Sequence, residues 1–293
     1  MTDEKNEVIF KGKTLYIEFH DWSEEKGFGN AIVKKRELFA GRTDYQFAQI
    51  FDTPTLGRMF TLDNVTMLST RDEFMYHEMM THPALFVHPD PRRVLVIGGG
   101  DGGSVREVLR HPSVEQCILV EIDSKVISLA RKFLPQTARS FGDPRCQVVI
   151  GDGIDFVKRH ENEFDLIVCD STDPVGPGTV LFTLSFYRAC LRALRRDGIM
   201  TAQLGSPFVI GPHVRRSFRR MKRVFPIACL YWAQVPVYAD GFYAMAFLSK
   251  RFHPRKHFRR DRFRAMKLPL KYYNEEMHTG AFCLPEYVKK LVD

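Results

Sequence analysis

Four acidic side chains stand where runs of β-forming residues stop. Asp101 sits inside Gly98-Gly99-Gly100-Asp101-Gly102-Gly103, directly after Val94-Leu95-Val96-Ile97. Glu121 closes Leu119-Val120-Glu121, and Asp152 lies in Gly151-Asp152-Gly153. Asp170 closes Val168-Cys169-Asp170, with Asp173 close behind it. In an open parallel α/β sheet, ligands bind at the carboxyl ends of the strands. Glu121 lies about 20 residues beyond the glycine loop, the spacing at which an acid accepts both hydroxyls of a ribose. Asp152 with Gly153 suits an adenine amino group, the glycine letting the backbone come close. Asp101 stands where a dinucleotide site cradles pyrophosphate, and a carboxylate there repels phosphate and attracts a cation. The set points to a nucleoside that carries positive charge and no phosphate, with Asp101, Asp170 and Asp173 left as anions for a polyamine. Taken singly, each acid reads as a helix cap or a solvated turn; acids at four successive strand ends argue for a site. His77, after the charged turn Arg71-Asp72-Glu73, reads either as a ligand or general base or as a satisfied structural histidine.

The elements that must position these groups can be read from alternation. Residues 8–68 read as short strands joined by turns, with 15–19, 47–51, 57–62 and 65–67 the clearest, and Asp63-Asn64 as a tight turn. A helix is predicted over 73–81, with Pro83 and Pro89 punctuating the segment after it. Strands at 94–97, 117–121, 146–150, 164–170 and 199–203 then alternate with helices at 105–110, 124–133, 154–160, 182–194 and 214–224. Two further strands fit 228–234 and 243–248. This is the pattern of a parallel sheet covered by helices. The expected fold is α/β, a Rossmann-like, methyltransferase-type parallel sheet with helices on both faces. A small antiparallel β domain (1–68) precedes the catalytic domain (69–293).

The chain has 293 residues, 44% of them hydrophobic, enough for a sizeable core. The polar, acidic N-terminus does not read as a signal peptide, and no apolar run approaches the roughly 20 residues that span a bilayer. The expectation is a cytoplasmic protein with no membrane association. Six cysteines lie without a Cys-x-x-Cys pair and mostly beside apolar residues, which reads as buried reduced thiols. No His/Cys cluster has zinc spacing, so no metal is expected. The net charge of +8 is concentrated in 215–223 and 251–264. Phe218, Met221 and Val224 recur there at helical spacing, which favours solvated helix faces over a nucleic-acid surface.

Several longer motifs carry a resemblance. Asp44-Tyr45-Gln46, Arg71 through Met79, Gly98 through Glu107, Val120 through Asp123, Asp170 through Pro177, Val235-Pro236-Val237-Tyr238 and Leu270 through Asn274 together resemble the spermidine synthase family of polyamine aminopropyltransferases. The resemblance covers the chain from about Trp22 onward. It implies transfer of a 3-aminopropyl group from decarboxylated S-adenosylmethionine, a co-substrate rather than a cofactor, to a diamine, commonly putrescine. It implies that Gln46, Glu121, Asp152, Gly153 and Pro177 hold the nucleoside, with Gly98 and Asp101 in the donor loop. His77, Asp101, Asp170 and Asp173 would contact the aminopropyl or polyamine part. Asp170 would be the general base, with Tyr76 and Tyr238 orienting the same nitrogen. Trp22, Tyr76, Gln203 and Tyr238 would shape the acceptor site, and a loop from about Asp173 to Leu181 would close over the ligands. A homodimer or homotetramer is implied.

The chain departs from that family's pattern at a few positions. Met67 stands where Gln is usual, Val237 where Thr is usual before the tyrosine, Asn64 replaces a turn Gly, and Ala239-Asp240 replaces Pro-Ser. These leave cadaverine, agmatine or spermidine open as acceptors. Asp240 reads either as an extra carboxylate at the acceptor mouth or as a turn cap. Asp101 opposes a methyltransferase acting with ordinary S-adenosylmethionine, whose own carboxylate would face it. The retained Asp101, Asp170, Asp173, Tyr76 and Tyr238 oppose a non-catalytic polyamine- or nucleic-acid-binding protein.

Overall fold

The computed structural model describes residues 6–19, 29–172 and 180–293. Strands β1 (Glu7–Phe10), β2 (Lys13–Phe19) and β3 (Gly29–Val33) form one antiparallel sheet, and β4 (Arg36–Arg42), β5 (Phe47–Asp52), β6 (Arg58–Leu62) and β7 (Val65–Ser69) form another. Asp63 and Asn64 join β6 to β7 with φ of 48° and 59°. Both central residues of that hairpin need positive φ, and Asp and Asn tolerate it better than other side chains. The replacement of a glycine by Asn64 is thus absorbed.

Helix α1 (Glu73–Leu85) then leads into the large sheet, and it runs straight through Pro83. The expected stop at residue 81 is overridden by tertiary structure. A proline in a helix removes the hydrogen bond to the carbonyl four residues back, here that of Met79. The buried hydroxyl of Tyr231 donates to Met79 O at 2.9 Å and fills that vacancy.

The large sheet has seven strands: β8 (Arg93–Gly98), β9 (Gln116–Glu121), β10 (Cys146–Ile150), β11 (Phe164–Asp170), β12 (Leu194–Gly205), β13 (Ile227–Gln234) and β14 (Phe242–Ser249), in the order β10-β9-β8-β11-β12-β14-β13. The strands from β10 to β12 pair in parallel, whereas β14 runs antiparallel between β12 and β13. The sheet is mixed rather than wholly parallel. The short link from β13 to β14 explains this, since a parallel neighbour needs a crossover of a dozen or more residues.

Side chains alternate between the two faces. Val94 and Val96 join one core with α1, α2 (Gly103–Leu109) and α3 (Ser124–Phe133). Leu95 and Ile97 join the other with α5 (Gly153–Lys158), α6 (Leu184–Ala193) and α7 (Gly211–Lys222). A short α4 (Pro135–Ala138) follows α3, and α8 (Arg260–Met266), α9 (Glu275–Gly280) and α10 (Glu286–Val292) finish the chain. None of the described helices is long and apolar enough to cross a membrane.

The two basic runs have structural work. Helix α7 buries Val214, Phe218 and Met221 while Arg220 donates to Phe182 O at 2.7 Å. Arg262 reaches the carbonyls of Leu85, His88 and Pro89 at the C-terminus of α1, where cations stabilise a helix end. Arg264 pairs with Glu275 at 2.6 Å.

Candidate functional site

The strand order reverses between β8 and β11, and the register there pairs Gly98 with Asp170. That reversal opens a crevice at the carboxyl ends of a doubly wound sheet. Gly98 has φ of 76°, and a Cβ on it would lie 2.3 Å from Asp170 O. Only glycine lets the loop turn this close to the neighbouring strand.

Asp170 ends β11 and is buried. Tyr76 from α1 donates to its Oδ1 at 2.7 Å, and Ser104 from α2 donates to its Oδ2 at 2.6 Å. Each oxygen keeps a lone pair for a further donor. Burial raises the pKa of Asp170 above the usual carboxylate value, and the nearby charge of Asp101 raises it further. His77, Ser104 and Tyr76 pull the other way. Ligand atoms of His77, Asp101 and Asp170 all lie within 4.8 Å of one another. That trio offers the donor set of a metal site, but a metal needs a neutral histidine. Here His77 is clamped between two carboxylates, with Nδ1 2.6 Å from Glu73 Oε2 and Nε2 3.3 Å from Asp101 Oδ1. Burial disfavours its charged form, yet Asp101 and Glu73 overcome this and raise its pKa well above the ordinary value. The two flanking carboxylates favour the charged imidazolium, and both its nitrogens are engaged.

Three tyrosines wall the crevice beside Asp170. The Tyr76 ring lies 5.8 Å from both Tyr238 and Tyr243, and the latter two are 4.7 Å apart. Tyr238 donates its hydroxyl to Met67 O at 2.7 Å, not to Asp170. With their protons committed, the oxygens of Tyr76 and Tyr238 can only accept, which suits an ammonium. The Val237 amide is held by Asp72 Oδ2 at 2.9 Å, a backbone contact that is indifferent to valine in place of threonine. Gln203 accepts from Tyr243 at 2.8 Å and donates to the carbonyls of Ser171 and Thr172 at 3.1 and 2.8 Å. Its amide is spent on holding the chain that leaves Asp170.

The acids expected at the nucleoside end stand at the ends of β9 and β10. Glu121 is buried, accepts from Asp123 N at 3.0 Å, and is pushed up to about 7 by burial. Gln46, from the N-terminal sheet, donates to Asp123 Oδ2 at 3.3 Å, which brings the two parts of the chain together beside Glu121. Asp152 is exposed and caps α5 through Ile154 N at 2.7 Å. Its cap role therefore holds, with its second oxygen still available. Gly153 has a packing reason: a Cβ there would lie 2.4 Å from Ile97 Cγ2. Asp240 accepts from Phe242 N at 3.3 Å, the turn-capping alternative, and its neighbours Ala239 and Phe242 pack on the face of the sheet opposite Tyr238. Trp22, Asp173 and Pro177 lie outside the described residues.

Ser104, Tyr243, Asp72 and Glu73 were not singled out from the sequence. Ser104 follows the glycine cluster at the start of a helix, and Glu73 stands four residues before His77, one helical turn away. Those spacings were the available signals. The motif at 270–274 has a different use from the site. Glu78 accepts from the backbone amides of Lys271, Tyr272 and Tyr273 at 2.8–2.9 Å and anchors that segment to α1.

The chain is similar to known proteins over most of its length. Residues 73–261 match the family model of the spermine/spermidine synthase domain, and residues 15–70 match that of the spermidine synthase tetramerisation domain. A polyamine aminopropyltransferase of Thermotoga maritima is 45% identical over 276 residues, covering 92% of this chain and 93% of the relative. One from a Thermoanaerobacter species is 43% identical over 263 residues, covering 90% of this chain and 94% of the relative. The crystal structure of a spermidine synthase in complex with the transition-state analogue AdoDATO superposes with a TM-score of 0.92 at 44% identity, covering 95% of this chain and 94% of that one. The spermidine synthase of Thermotoga maritima gives a TM-score of 0.89 at 42% identity, covering 95% of this chain and 93% of that one.

Proposed function

This chain belongs to the spermine and spermidine synthase family and is an aminopropyltransferase, and from that premise we propose that it moves the 3-aminopropyl group of decarboxylated S-adenosylmethionine to putrescine, giving spermidine and 5′-methylthioadenosine. The observation that carries this reading is Asp170, buried, gripped by Tyr76 and Ser104, and facing Asp101 within 4.8 Å. His77 balances one of these two carboxylates, and the other is left to receive a cation.

An alkyl ammonium has a pKa near 10.4, so about one molecule in 10³ to 10⁴ is a neutral nucleophile at pH 7. Exposing its lone pair costs on the order of 4–5 kcal/mol. Asp170 accepts a proton from the amine, and its upward shift makes it a stronger base than an exposed aspartate. The oxygens of Tyr76 and Tyr238 orient the nitrogen. The amine then attacks the aminopropyl carbon next to sulfur. A C–N bond forms, the C–S bond breaks with its electron pair going to sulfur, and neutral methylthioadenosine leaves. In-line placement supplies much of the remaining acceleration.

Glu121 receives the ribose hydroxyls, Asp152 and Gly153 the adenine, and Gln46 steadies the Glu121 side through Asp123. Gly98 turns the donor loop. Asp101 takes the donor's ammonium and rejects the carboxylate of ordinary S-adenosylmethionine. His77 belongs to the polyamine side as the partner of Asp101, and Gln203 shapes the acceptor site by holding residues 171–172. Trp22, Asp173 and Pro177 complete the acceptor, polyamine and nucleoside contacts by resemblance alone.

The division into residues 1–68 and 69–293 is supported to within a few residues by the link between the end of β7 at Ser69 and the start of α1 at Glu73. A homodimer or homotetramer is supported by the tetramerisation-domain match and by the exposed apolar side chains of Val8, Ile9 and Phe10 on β1. A cytoplasmic location is supported by six free cysteines.

The test is a mass-spectrometric assay with decarboxylated S-adenosylmethionine and putrescine, cadaverine, agmatine or spermidine. Methylthioadenosine with spermidine as the dominant product is expected. A dominant product from another amine would overturn putrescine as acceptor and leave the transfer chemistry standing.

A further inference from the structure

A chain of alternating charge runs from the donor loop into the protein. Asp101 meets His77 at 3.3 Å, His77 meets Glu73 at 2.6 Å, and Arg106 grips Glu73 with two parallel bonds of 2.8 Å. Arg106 also donates to Glu107 at 2.7 Å. All four side chains after Asp101 are buried or nearly so. The His77 ring is seated against the backbone of Gly103, where an added Cβ would lie 2.2–2.4 Å from its atoms. Gly103 N in turn donates to Asp101 Oδ1 at 2.8 Å. Oδ1 of Asp101 is thus fixed by two donors, and Oδ2 makes no hydrogen bond with a described residue.

We propose that Glu73 is a positioning residue for the aminopropyl donor, holding His77 so that its Nε2 keeps Asp101 Oδ1 in place and leaves Oδ2 turned toward the ligand. The inference rests on the donor-binding role given to Asp101 above. His77 faces Glu73 on its own helix, Asp101 in the donor loop and Asp170 on β11, with Arg106 of α2 behind Glu73. Without Glu73, His77 keeps the desolvation of its buried site and loses the anion on Nδ1. Its proton is then held less firmly, and Asp101 loses a cationic donor. Arg106 keeps Glu73 ionised, as the depression of Glu73 to about 2 reflects. Burial opposes that depression, and the bonds from His77 and Arg106 outweigh it.

The consequence separates two ligands of one site. Decarboxylated S-adenosylmethionine presents an ammonium to Asp101, while methylthioadenosine lacks that group and binds through the nucleoside contacts alone. Calorimetric titration of wild type, Glu73→Gln and Asp101→Asn with each ligand is the experiment. Glu73→Gln is expected to weaken the decarboxylated donor about tenfold while methylthioadenosine binds as in wild type. Asp101→Asn should lower the same affinity ratio further. If Glu73→Gln leaves the ratio at its wild-type value while Asp101→Asn lowers it, Glu73 has no positioning role and the donor site stands. If Asp101→Asn also leaves the ratio unchanged, the donor-binding role of Asp101 falls with the inference. Should Glu73→Gln fail to fold, Glu73→Gln/Arg106→Met removes both members of the buried ion pair and is read in the same way.

Discussion

Asp170 has each oxygen held by a different hydroxyl, one from a helix before the sheet and one from the helix after the glycine loop. The acids themselves were legible because an apolar β run ending in a carboxylate is a local pattern. Their partners were not, because Ser104 meets Asp170 only through the pairing of Gly98 with Asp170 across neighbouring strands. Tyr238 shows the same limit: its motif is visible, while the direction of its hydroxyl toward Met67 depends on two distant segments meeting. Glu121 carries a prediction with a sign. Burial lifts it to about 7, above its ordinary 4.5. Between those values the folded chain holds a proton that the unfolded chain has lost, so this residue lowers stability as pH rises from about 4.5 to 7. Glu121→Gln should therefore melt higher than wild type at pH 8 and alike at pH 4, by calorimetry. The same variant should bind methylthioadenosine roughly tenfold or more weakly, since ribose hydroxyls lose a charged acceptor.

At the scale of elements, most strands and helices were legible from periodicity, and the exceptions have identifiable causes. Helix α1 continues past residue 81 because Tyr231 replaces the hydrogen bond that Pro83 cannot make. That depends on a residue about 150 positions away, and no local signal carries it. Tyr231→Phe should leave Met79 O buried without a donor and cost about 1–3 kcal/mol. Urea unfolding should show a lower midpoint at an unchanged slope. An unchanged midpoint would mean that α1 is held past Pro83 by packing alone. The antiparallel β14 was likewise invisible to alternation, because its direction is set by the length of the link to β13 rather than by the strands themselves. Glu78 explains the motif at 270–274 as an anchor for α1, and so keeps Tyr76 and His77 of that helix in register with the crevice.

Over the whole molecule, the site exists only where two parts of the chain meet. Gln46 comes from the turn between β4 and β5, Glu121 from the end of β9 and Asp123 from the cap of α3. The basic runs, read from the sequence as solvated helix faces, also hold carbonyls of Phe182, Leu85, His88 and Pro89. Ile9 is 82% exposed at the edge strand β1, flanked by exposed Val8 and Phe10. An apolar edge of that kind calls for a partner. Ile9→Asp should shift the sedimentation velocity of the protein toward a smaller species, and an unchanged distribution would exclude β1 from the subunit contact. In the proposed mechanism the transfer chemistry turns on Asp170 taking the proton of an attacking amine. That role is tested by incubating wild type and Asp170→Asn with decarboxylated S-adenosylmethionine and putrescine at pH 7, following both products by mass spectrometry and donor affinity by calorimetry. Wild type should give equal amounts of spermidine and methylthioadenosine. The variant should bind the donor as before and form both products roughly 10²–10⁴-fold more slowly. Turnover by Asp170→Asn at the wild-type rate would remove Asp170 as the base.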